Sequence, residues 1–160
     1  MLSPNERIAL IDKIEALPAL VRKALDGMSE FELDTAYRDG GWTVRQVVHH
    51  LADSHTNAYM RTRLILTEEN PTLRPYNQDE WARLDDAFHS PVEPSLRILD
   101  GLHERWSRLL RNVPESAWSR PGTHPEYGAT SLEGILRTYS KHGEDHLEHI
   151  RLGRERSAAR

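Results

Sequence analysis

The chain has nine histidines and no cysteine, so any metal chemistry must run on imidazole and carboxylate. His49, His50 and His55 fall in one stretch, and His142, His146 and His149 in another. At about 100° per residue, the rings of His142 and His146 lie about 40° apart and one turn up the same helical face, with His149 about 20° to the other side. Two imidazoles at i and i+4 can chelate one divalent ion, at about 2.0–2.1 Å if it is zinc. A third from a facing helix would complete a three-histidine set with positions left open for water or substrate, the arrangement of catalytic zinc. Spacing alone leaves a second reading open, in which these are core or face histidines bonded to backbone. His49 and His50 face about 100° apart, so only one of them can point inward. His89, His103 and His124 read as solvated. The run His142-Gly143-Glu144-Asp145-His146 lacks the glutamate that follows the first histidine of a zincin, and Glu144 points about 200° away from His142.

Four helices must position these rings, and each opens on a capping signal. Ser3-Pro4-Asn5-Glu6 begins the first, which Ile8, Ile11, Ile14, Leu17, Val21 and Leu25 carry to Gly27. Pro18 lies inside it, where a lost backbone bond predicts a kink or short break. Thr43-Val44-Arg45-Gln46 begins the second, which runs to Asn70-Pro71. Ser90-Pro91-Val92-Glu93 begins the third, ending near Asn112, and Thr130-Ser131-Leu132-Glu133 begins the fourth, ending near Gly153. No strand pattern of comparable strength appears. The expectation is an all-α four-helix bundle, one domain over residues 1–160, with a long crossover link from Pro71 to His89 that carries a short helix from Asn77 to Leu84. The four tryptophans read as core or interhelical wedges. Arg151, Arg154, Arg156 and Arg160 read as partners of the last helix's C-terminal dipole.

Composition narrows the function classes. The 160 residues carry 21 basic and 25 acidic side chains, a net charge of −4 that gives no electrostatic footprint for nucleic acid. Apolar runs are too short for a membrane span or signal-peptide core, and the absence of cysteine removes disulfides and thiolate sites. A cytoplasmic domain is expected.

The residues Asp34-Thr35-Ala36-Tyr37-Arg38-Asp39-Gly40-Gly41, running into WTVRQVVHHLADSHTNAY at 42–59, closely resemble the YfiT branch of the DinB superfamily, a group of metal-dependent hydrolases. Further matches are Leu66-Thr67-Glu68-Glu69, Arg74-Pro75-Tyr76, Leu102-His103-Glu104-Arg105-Trp106 and the segment from Tyr139 to Ile150. The resemblance implies a bundle with nonsequential helix order, a homodimer, and one divalent ion, zinc or nickel, held by His50, His142 and His146. Gly143, Glu144 and Asp145 stand where the family pattern has further histidines, and Gly143 should loosen the helix by ~1 kcal/mol relative to alanine.

The function expected is that of a metal-dependent hydrolase on a small molecule, the ion lowering the pKa of water to about 7. Asp53, one turn after His50, is the candidate to hold a ligand histidine or accept a proton, unless it is an ordinary surface or interhelical residue. Other members of the superfamily imply an alternative, transfer of a low-molecular-weight thiol such as bacillithiol or mycothiol to an electrophile. A reading of another class is a stress-associated, non-catalytic bundle whose ion is structural.

Overall fold

Ser3 and Glu6 form the expected capping box, and α1 follows from Pro4 to Leu25. The computed structural model describes residues 1–159, so Arg160 lies outside the described residues. After α1 come α2 (Glu30–Leu33), α3 (Val44–Thr67), α4 (Gln78–Trp81), α5 (Asp85–His89) and α6 (Glu93–Arg111). A two-stranded hairpin, β1 (Pro121–His124) with β2 (Gly128–Ser131), leads into α7 (Leu132–Ala158). The long helices α1, α3, α6 and α7 form the four-helix bundle expected. Both α1 and α3 pack against α6 and α7, which puts α1 diagonal to α3. Helix order in the bundle is therefore nonsequential.

The diagonal link is held by Arg45, a buried guanidinium at the start of α3. It binds Glu30 of α2, Asp34 at 2.8 Å and the Ser90 carbonyl at 3.0 Å. The Ser90 carbonyl also meets His49 Nε2 at 3.2 Å, which fixes Ser90 in the linker. For that reason Ser90 does not cap the third helix as its sequence suggests; α6 begins at Glu93 with Val92 in the cap position and no side-chain cap bond. The 77–84 helix is likewise corrected to the single turn of α4, capped by Asn77, and a second short helix, α5, follows it outside the expected range. The cap of α7 is Ser131 rather than Thr130.

The strands leave no signal in the sequence because each has only four residues, rich in Gly, Pro and Thr, with no apolar alternation. The hairpin holds the 71–77 link: Thr123 N donates to the Pro71 carbonyl at 2.9 Å, and Leu73 N to the Thr123 carbonyl at 2.8 Å.

Two proline and glycine expectations are also corrected. Helix α1 runs unbroken through Pro18, and α7 continues past Gly153 to Ala158. Gly153 is a point of close approach rather than a stop: a Cβ there would lie 2.4 Å from Val44 Cγ2 at the buried start of α3. Gly143 has a similar role, since a Cβ would lie 2.8 Å from Leu17 Cδ2 on α1.

The core comes in two parts. One apolar cluster includes Ile11, Ile14, Ala58, Trp106, Leu110 and Leu136, and the other Leu17, Val21, Val47, Leu51, Leu99 and Ile150. On α3, α6 and α7, His55, His103, His142 and His146 stand between residues of the two clusters. Gly153→Ala tests the close approach: despite alanine's better helix propensity, the overpacking against stiff Val44 should cost about 1–3 kcal/mol, read as a melting temperature lowered by several degrees.

Candidate metal centre

To one group of imidazoles α3 contributes His50 and His55, α6 contributes His103, and α7 contributes His142 and His146. Thr43 and Gln46 form the capping box that starts α3 and so fixes the level of His50. The Nε2 atom of His142 lies 3.2 Å from Nε2 of His50 and 3.1 Å from Nε2 of His146. These are the three residues that could share one ion, each with a nitrogen within 4.8 Å of the others. Two nitrogens bound at about 2.0–2.1 Å to a tetrahedral ion would stand about 3.3 Å apart, so the spacing fits such an ion with little adjustment.

The hydrogen bonds behind His142 assign its tautomer. His103 Nδ1 lies 2.5 Å from the Ile14 carbonyl, which can only accept, so Nδ1 carries the hydrogen and Nε2 the lone pair. His55 Nδ1 donates to that lone pair at 3.0 Å. His142 Nδ1 in turn donates to His55 Nε2 at 3.1 Å, which leaves the His142 Nε2 lone pair facing His50 and His146. His55 and His103 are both 0% exposed. Burial, with the charges of neighbouring histidines, pushes the His55 pKa well below its ordinary value; burial also lowers that of His103, against the opposing bond to Ile14.

The chain of histidines ends at Ile14 for a covalent reason. In an unbroken helix that carbonyl would accept from the backbone nitrogen four residues on, and that residue is Pro18, which has no N–H. Pro18 therefore frees an acceptor inside α1, and His103 takes it. Helix α1 does not break at Pro18, and the backbone bond lost there is put to use.

Aromatic and polar neighbours complete the surroundings. Trp42 packs 4.7 Å from the His50 ring and 6.5 Å from that of His146, so this tryptophan walls the centre rather than wedging helices apart. His149 is stacked on Tyr37 at 4.0 Å, and its Nδ1 meets His146 Nδ1 at 3.2 Å. His49 turns the other way and bonds Ser95 Oγ at 2.8 Å. His103 and His124 are buried, against the expectation of solvation, because the first is enclosed by α1 and the second accepts from the backbone of its own hairpin. His89 is exposed beside Asp85, as expected. Arg151 pairs with Glu148 and Glu155, Arg154 bonds the Ala24 carbonyl at 3.1 Å, and Arg156 pairs with Asp39.

Among the described residues the Asp53 carboxylate makes no hydrogen bond to any of the histidines. Burial and the nearby Asp86 push its pKa up to about 6. Two depressions flank the centre and both touch His142 and Gln78. One, of about 620 Å³, is also lined by Arg61, Tyr76, His124 and Tyr139, and the other, of about 490 Å³, by Arg38, Trp42, His50 and His146.

Burial lowers the pKa of His50 to about 3, of His142 to about 4 and of His146 to about 2; mutual repulsion adds to this for His50 and His146. The unfolded chain therefore binds more protons than the folded one below the ordinary value of 6.5. Stability from these groups is complete above that pH and drains as pH falls towards 4, by about 1.4 kcal/mol per pH unit for each ring kept neutral. Thermal melts of chelator-treated protein between pH 7 and pH 4.5 should show a steep loss; a flat profile over that interval would contradict the neutral assignment.

Comparison with known proteins agrees with this architecture. A model of the DinB superfamily matches residues 13–150. A protein of Oceanobacillus iheyensis whose name proposes a metal-dependent hydrolase is 48% identical over 140 residues, 88% of this chain and 81% of that one. A similarly named protein of Bacillus mycoides is 46% identical over 146 residues, 91% of this chain and 84% of that one. The solved structure of YfiT from Bacillus subtilis, described as a probable metal-dependent hydrolase with an unusual four-helix bundle topology, superposes with a TM-score of 0.95 at 42% identity, covering 99% of this chain and 91% of YfiT. A bundle of the same helix order, a family match over most of its length and close relatives of one kind place this chain in the DinB superfamily.

Proposed function

We propose that this protein is a metal-dependent hydrolase of small molecules, with one divalent ion held by His50, His142 and His146. The observation that carries the reading is the convergence of three Nε2 atoms, one of them assigned an inward lone pair by hydrogen bonds on the far side of its ring. Imidazole donors suit zinc and nickel alike. Such an ion, when bound, supplies Lewis acidity that lowers the pKa of water to about 7 and polarises an electrophile. The chain's own residues do the positioning. His55 and His103 hold His142, His149 holds His146, and Trp42 shields the His50 face. Asp53 is the candidate proton acceptor: burial pushes its carboxyl up to about 6, and its charge acts on Tyr76, whose own pKa burial pushes up to about 12. We read the chain as a single domain that works as a cytoplasmic homodimer, a location in keeping with its lack of cysteine.

Transfer of a low-molecular-weight thiol of the bacillithiol or mycothiol type is the second reading. The observation favouring it is that two separate depressions meet at His142, room for a thiol on one side and an electrophile on the other. Metal-loaded protein would then conjugate a thiol to a chlorinated arene and leave ester and amide panels untouched.

Elemental analysis of purified protein should find about one divalent ion per chain, and His50→Ala should lose it together with hydrolysis of the ester or amide panel while the protein stays folded. Full metal occupancy in that variant would remove His50 from the ligand set. His55→Phe keeps the ring's bulk but deletes the acceptor for His142. Metal affinity, measured by competition with a chromophoric chelator, should fall 10–100-fold; unchanged affinity would show that His142 needs no partner.

A further inference from the structure

The larger depression beside His142 contains hydrogen-bond donors that face one another with no acceptor between them. His124, at the end of β1, receives two backbone N–H groups at its Nδ1, from Glu126 at 3.2 Å and from Tyr127 at 3.4 Å. Nδ1 must therefore hold the lone pair, and Nε2 carries the hydrogen. That Nε2 lies 3.4 Å from Nη2 of Arg61, which is also a donor and only a donor. Two N–H groups so placed repel each other.

Arg61 is otherwise underused for a charged group. Its Nη2 donates to the Arg74 carbonyl at 2.8 Å and its Nη1 to the Tyr139 hydroxyl at 3.1 Å, while its Nε is buried with no partner. Among the described residues no carboxylate pairs with it. The Tyr139 hydroxyl, having accepted from Arg61, has its own hydrogen left to give. Three elements thus contribute to one donor cluster: Arg61 from α3, His124 from the hairpin and Tyr139 from α7. The acidic residue lining the same depression is Glu126, exposed at its rim.

We infer that this cluster is an anion subsite at which a carboxylate of the substrate bridges Arg61 and His124 from the depression, with the Tyr139 hydroxyl as third donor. One guanidinium flanked by neutral donors matches a single planar negative charge. A dianion such as phosphate would carry charge that this set does not balance, and Glu126 at the rim would oppose it. Burial, with the Arg61 charge, holds His124 below its ordinary range, so it meets the anion as a neutral N–H donor. Tyr139 stands one turn before His142, ring centres 5.5 Å apart. The subsite therefore sets the distance between the substrate's carboxylate and its reacting group at the histidine centre. The inference rests on the reading of His142 as part of that centre only for what the bound molecule would undergo, not for its binding.

Benzoate and its neutral analogue benzamide are suitable probes, used on the full chain both as purified and after chelator treatment. In amide NMR titrations benzoate should shift the Glu126 and Tyr127 signals, whose N–H groups bond His124, and should bind chelator-treated protein at least 10-fold more tightly than benzamide. Arg61→Met should remove that preference. Tyr139→Phe, which deletes only the hydroxyl and guards against a misfolded Arg61 variant, should reduce it several-fold. Equal binding of the two probes to chelator-treated wild type, or benzoate binding untouched in folded Arg61→Met, would overturn the subsite. Metal content measured on the same preparations reads the histidine centre separately, so the two can fail independently.

Discussion

Five imidazoles at one level of an apolar bundle are tolerable only when their ring nitrogens have partners, since an unpaired buried polar group costs on the order of 1–3 kcal/mol. That constraint orders the interior. It places a carbonyl, a neutral ring and another neutral ring in series behind His142, and leaves the Nε2 atoms of His50, His142 and His146 converging on one another. The four long helices supply the level, and the hydrogen-bond series supplies the direction. Neither alone would aim a lone pair.

Much of this was legible in the chain. The i, i+4 spacing of His142 and His146 predicted a shared face, and the capping boxes at Ser3 and Thr43 fixed two helix starts to the residue. The choice of His50 over His49 came from family resemblance, because adjacent positions differ only in which neighbour they meet, and Ser95 and the Ser90 carbonyl that engage His49 are distant in sequence. His55 and His103 were illegible as a pair for the same reason. Their partnership spans 48 positions and exists only because α6 packs beside α3. Asp53 had the right spacing and the right chemistry, yet the structure does not join its carboxylate to the histidines.

The connecting segments carry as much of the site as the helices. The link after α1 delivers Tyr37 and Trp42 to one side of the centre, with a turn at Gly40 whose φ of +66° suits glycine. The link after α3 and the hairpin deliver Tyr76 and His124 to the other, and they hold each other through backbone bonds at Thr123. The segments around Tyr37, Trp42 and Tyr76 carry part of the family resemblance, yet what their residues do at the site follows from juxtaposition. The helical scaffold is shared by relatives, whereas the loops are where one member's substrate can differ from another's.

Pro18 has a consequence for anyone who engineers this protein. By every rule of helix propensity it is a defect, and a stability-minded redesign would replace it early. Its replacement would return an amide hydrogen to the Ile14 carbonyl and set the main chain competing with His103 for that oxygen. Helix α1 would gain while the orientation of His142, two imidazoles away, slackened. Here thermostability and the aim of the centre are opposed through a single oxygen atom, and the imperfect helix is the form that serves the site.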